Sequence, residues 1–79
     1  SSNMMRLANA KNVTSVRGLI ASKYSEISKV KLEVTDKAEA ASIIRKIKAV
    51  IQNGNIKIAR LHKEERIYEQ KNSQLNGKK

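Results

Sequence analysis

The fold is decided by AASIIRKIKAVIQNGNIKIARLHKEERIY, residues 40–68. Ala40, Ile43, Ile44, Ile47, Val50, Ile51, Gly54, Ile58, Leu61 and Tyr68 recur every three to four residues without losing phase. At about 100° per residue this spacing puts them on one side of a single amphipathic helix. A strand would alternate with period two. Asn53-Gly54-Asn55 is the one ambiguous point within the stretch. Gly54 can terminate a helix in the left-handed conformation, with Asn55 capping the next. The unbroken phase from Ile47 through Ile51 to Ile58 and Leu61 favours continuity instead. A glycine at the centre of the stripe would then let another element come close.

Upstream, Val13, Val16, Ile20, Ile27, Val30 and Val34 follow the same three- and four-residue steps. Lys23 occupies the one missing position, and Tyr24 stands beside it. Asn12 and Thr14 are candidate caps for this first helix. Between the two stripes lies Val34-Thr35-Asp36-Lys37, and Asp36 with Glu39 makes a D-x-x-E form of the capping box. Both carboxylates would sit at the positive end of the second helix. Two amphipathic helices on a short connection predict an antiparallel αα-hairpin. The expected class is therefore all-α: a shorter helix over about 12–34, then a longer one over 37–71. Residues 1–11 are expected to be flexible, with 1–3 an expression remnant, residues 12–71 to form one domain, and residues 72–79 to be a disordered basic tail.

Composition restricts the class further. The chain has 79 residues, no Pro, Cys, Trp or Phe, and two Tyr as its only aromatics. Chains below about 70–80 residues commonly need a disulfide, a metal or oligomerisation to be stable. Without cysteine, disulfides and thiolate metal sites are excluded, and oligomerisation remains. The hairpin is thus expected to self-associate, as a dimer, into a helical bundle or coiled-coil assembly. Its surface toward itself or a partner helix would comprise Val16, Ile20, Ile27, Ile43, Ile47, Val50, Ile51, Ile58, Leu61 and Tyr68. Ile56 and Ile67, eleven residues apart on the polar side, could make a second contact strip, with weak support from Leu32. Tyr24 and Tyr68 read as packing residues.

Catalytic chemistry finds no footing. The single His62 has Glu65 and Arg66 one turn away and no further ligands at metal-binding spacing. Glu64, Glu65 and Glu69 stand one turn from Arg60, Lys63 and Arg66, which reads as surface ion pairing. The expectation is a non-enzymatic protein with no catalytic residue, metal or cofactor: a small helical interaction or oligomerisation module.

Net charge is +10, with the surplus on the second half: ten Lys/Arg against three Asp/Glu over 41–79, and seven against four over 1–40. This permits a second function, accessory nucleic-acid binding through Arg45, Lys48, Lys57, Arg60 and Lys63. Projected on one helix, however, the cations wrap the whole polar side and form no narrow track. A third function, peripheral attachment to anionic membrane, is weakened by the absence of Trp and Phe. No stretch reaches the roughly 18–20 apolar residues needed to span a bilayer. Without a signal-peptide core or cysteine, a cytoplasmic location is expected.

Overall fold

The computed structural model describes the backbone of residues 2–77 and the side chains of residues 4–73. It contains two helices, α1 over Ser2–Glu33 and α2 over Lys37–Gly77, packed against each other as a hairpin. The hairpin is a rod 66 Å long and 17 × 10 Å in section. Forty-one helical residues at about 1.5 Å each span about 62 Å, so α2 alone sets the length.

The turn is built as its residues predict. Val34 N–H donates to the Val30 carbonyl at 3.0 Å, closing α1. Asp36 then caps α2: its Oδ1 accepts from the amides of Ala38 (2.9 Å) and Glu39 (3.0 Å), and its carbonyl accepts from Ala40 N–H at 2.9 Å. Two of the four orphan amides at the start of α2 are thereby satisfied.

Along the interface the half-buried and buried positions of α1 are Met5, Asn9, Val13, Val16, Ile20, Lys23, Ile27 and Val30, continued by Val34 in the turn, with Glu26 half-buried beside them. Those of α2 include Ala40, Ile44, Ile47, Ile51, Gly54, Ile58, Leu61, Glu65, Tyr68 and Asn72. Both series advance by threes and fours, so one seam runs the length of the rod. Val13, Val16, Ile27 and Ile51 are its most buried apolar members.

α2 passes through Gly54 without a break, and no glycine among the described residues has a positive φ. What approaches Gly54 is side chain: a Cβ built there would lie 3.0 and 3.1 Å from Cγ1 and Cδ1 of Ile20 and 3.4 Å from Cγ1 of Val16. This contact fixes the antiparallel register. Ile20 and Val16 fill the notch that the missing side chain leaves.

α1 starts well before the expected Asn12. Residues 2–11 are helical, and Asn12 and Thr14 lie inside α1 as exposed residues, not at its start. Met5 and Asn9 continue the seam by steps of four, but Asn9 is polar and drops out of any hydrophobic pattern. The 32-residue α1 is therefore nine residues shorter than α2, an overhang of about 14 Å, smaller than the sequence implied. At the other end Asn72 is half-buried on the same seam, and α2 continues through residues 72–77. Of the expected remnant and tail, Ser1, Lys78 and Lys79 lie outside the described residues.

Two glycines give different expectations. Nothing lies within 4 Å of a Cβ built at Gly18. Gly18→Ala should thus stabilise the hairpin by about 0.5–1 kcal/mol through helix propensity alone. Gly54→Ala should gain less, because Ile20 must yield, and Gly54→Leu should lose about 1–3 kcal/mol from overpacking. Thermal melts of the three variants check this; equal gains for both alanine variants would contradict the register described.

Candidate interaction surfaces

The seam divides the surface of the hairpin into two flanks. In an antiparallel pair, residues just beside the seam on one helix face those on the same side of the other. Ala10, Thr14 and Arg17 of α1 and His62 of α2 thus line one cleft of about 430 Å³, floored by Arg6, Asn9, Val13 and Glu65. Tyr24 and Lys31 repeat Arg17 at seven-residue intervals, as Lys48 and Asn55 precede His62. This is the Tyr24 flank. On the opposite side a cleft of about 380 Å³ is lined by Asn53, Ile56, Lys57, Arg60 and Leu61. Val50 and Ile43 precede Lys57 at seven-residue intervals, and Leu19, adjacent in sequence to the Ile20 that packs on Gly54, comes level with them. This is the Leu19 flank.

The residues expected to form a partner surface are distributed between seam and flank. Val16, Ile20, Ile27, Ile47, Ile51, Ile58, Leu61 and Tyr68 lie in the seam between α1 and α2, buried or half-buried. Ile43 is half-buried beside it, and Val50 stays 40% exposed. Ile56 and Ile67 stand on the outer side of α2, each almost half exposed, and Leu32 is the most exposed large apolar residue, at the end of α1. Tyr24, expected to pack, is exposed, because it stands one position outside the seam. Leu19, half exposed, stands on the same flank as Val50 and Ile43, and the sequence pattern did not single it out.

Three polar residues of α1 interrupt the seam or close its end. Lys23 is drawn over the edge, its ammonium 3.2 and 3.3 Å from the two oxygens of Glu26. A half-exposed ion pair of this kind contributes about 0–1 kcal/mol. Arg6 bridges to α2, pairing with Glu69 and reaching Glu65 at 4.0 Å. Asn9 is 8% exposed, and its Nδ2 has no hydrogen-bond partner.

The basic residues are likewise rearranged by the fold. Lys48 belongs to the Tyr24 flank, Arg45 stands at its outer edge, where it lines a shallow hollow with Ser42, Lys46 and Ala49, Lys57 and Arg60 border the cleft on the Leu19 side, and Lys63 points outward from α2. The five do not make one surface. Arg17 and Lys31, contributed by α1, stand with Arg45 and Lys48 instead, and Arg66 extends that row. A projection of α2 alone misses them.

Among the described residues no group of three or more His, Cys, Asp and Glu could hold a metal ion, and no helix is long and apolar enough to cross a membrane. No family model, curated protein or solved structure matches the chain. The reading of function therefore rests on the surfaces themselves.

An unpaired amide in the seam makes a direct prediction. A buried polar group without a partner costs about 1–3 kcal/mol. Asn9→Leu should raise stability by about 1 kcal/mol or more in denaturant melts; a loss would show that Asn9 is better satisfied than its Nδ2 indicates.

Proposed function

We propose that this protein is a non-catalytic helical interaction module that pairs with a second copy of itself through the Leu19 flank. The observation that supports this is surface area. A compact monomer of 8.9 kDa would expose about 4,800 Å². The hairpin exposes 6381 Å². The excess, about 1,600 Å², is ample for a standard interface, which takes about 800 Å² from each partner. No side chain is fully buried among the described residues, so the seam alone makes a thin core.

The Leu19 flank is the side best suited to closing it. Leu19, Ile43 and Val50 form its apolar centre, and Leu61 opens onto it further along. Its charges are of both signs: Glu26, Glu33 and Glu64 alternate with Lys57 and Lys71. A two-fold pairing can set such charges against their opposites, which a single-sign flank cannot do. The product would be an antiparallel four-helix bundle with two seams facing inward. A different protein offering an amphipathic helix would bury the same patch; self-pairing is favoured because the patch carries both charges needed to complement itself.

Sedimentation equilibrium tests this. The wild-type chain should have twice the 8.9 kDa chain mass. Leu19→Glu combined with Val50→Glu should give a monomer that keeps its helical circular dichroism at low temperature, since neither side chain is in the seam. Ile47→Asp, by contrast, strikes the seam and should abolish cooperative melting. A wild-type chain that sediments at the monomer mass at every concentration tested, while melting cooperatively, refutes the proposal.

A further inference from the structure

We infer that the Tyr24 flank is a binding surface for the sugar-phosphate backbone of double-stranded nucleic acid, read without base specificity. The inference goes beyond the self-pairing proposed above and uses the opposite side of the hairpin. It rests on a segregation of charge that only the folded hairpin brings about. Arg17 and Lys31 from α1 join Lys48 from α2 on that flank, with Arg45 and Arg66 along its outer edge, all exposed.

The seven acidic residues lie elsewhere or are engaged. Glu26, Glu33 and Glu64 are on the Leu19 flank, and Asp36 and Glu39 are at the turn, where Asp36 caps α2. Glu65 is half-buried in the seam, and Glu69, beyond Arg66, is ion-paired with Arg6. From Lys31 through Arg45 and Lys48 to Arg17 no carboxylate intervenes; Glu65, which lines the cleft between Arg17 and Arg66, is turned toward Arg6 at 4.0 Å. From the level of Lys31 to Arg66 the row covers about 25 residues of α2, or about 37 Å. The Lys23 ammonium, the one cation of this stretch of α1 held by a carboxylate, is turned to the other side by Glu26.

The chemistry of the occupant follows from what accompanies these cations. Duplex nucleic acid presents about one negative charge per 1.7 Å of axis, so a stiff row of cations can meet several phosphates at once. Single-strand binders line their grooves with several aromatic platforms. This flank has one, Tyr24. Interfacial membrane helices carry a continuous apolar face. Here the large apolar side chains are the separated Leu7 and Tyr24. Gln52 and Asn55, exposed between Lys48 and His62, add neutral donors suited to phosphate and sugar oxygens. A dimer closed through the Leu19 flank would leave this surface outside on both copies.

The test is fluorescence anisotropy of a labelled duplex of arbitrary sequence titrated with the full chain over a range of salt. The wild-type chain should bind at low salt with log affinity falling by about 4.5 per tenfold rise in salt, as about five neutralised phosphates require. The triple variant Arg17→Glu, Arg45→Glu, Lys48→Glu should lose at least tenfold in affinity and more than half of that slope. The control Lys11→Glu, Lys29→Glu, Lys63→Glu makes the same change in net charge on the outer faces and should retain most of the binding. Circular dichroism establishes that each variant is folded, and Arg17→Gln, Arg45→Gln, Lys48→Gln repeats the test without charge reversal should the first variant unfold. Equal losses in flank and control variants would overturn the assignment to this flank. So would no binding at low salt, or tighter binding to an unstructured single strand or to anionic phospholipid vesicles than to the duplex. Because the readout is binding, and sedimentation reads the oligomer, failure of one proposal leaves the other standing.

Discussion

Two helices can hide only the stripe on which they touch. Everything else about this molecule follows from that constraint. The seam between α1 and α2 buries Val13, Val16, Ile27 and Ile51, and its remaining apolar members are left half-covered. Propensity holds each helix together locally, but most helical stability in proteins comes from the packing of an apolar face. The seam supplies that packing along its full length and in one layer only. The result is a rod with too much surface for its mass, and flanks that must either be wet or be covered.

The seam owes its register to what it lacks as much as to what it contains. Gly54 is an absent side chain placed where Ile20 and Val16 arrive, and sliding either helix by one turn would put a bulky residue into that space. Lys23 and Asn9 are less comfortable there. Lys23 escapes by reaching Glu26. Asn9 stays buried with an unpaired amide, beside the Arg6 bridge to Glu65 and Glu69. Polar residues in such a seam lower stability while restricting the number of alternative pairings. In a chain whose apolar stripe repeats so regularly, that restriction favours one alignment over others displaced by a heptad.

Much of the architecture was legible in the sequence because it depends on local rules. The period of the stripe, the Asp36 cap and the short turn are all written in neighbouring residues, and the unbroken phase across Gly54 anticipated a continuous α2. The start of α1 was not legible, because Asn9 takes a seam position while looking like a surface residue. The surfaces were less legible still. Val50 and Ile47 belong to the same stripe by hydrophobicity, yet the closing of the hairpin puts one on the flank and the other in the seam. Arg17 and Lys31 became neighbours of Arg45 and Lys48 only once the register of the two helices was known. Pattern on one helix shows which residues are greasy or charged; which of them remain available is settled by the partner helix.

Both flanks exist only if the seam closes within a single chain, and one measurement reads that directly. In an equimolar mixture of isotope-labelled and unlabelled chains, nuclear Overhauser effects can be sorted into those within a chain and those between chains. Contacts between the Ile20 δ-methyl and the Gly54 α-protons should be found within the same chain, whatever the oligomeric state. If those contacts arise only between different chains, α1 and α2 do not close on each other, and the hairpin with both of its flanks is wrong.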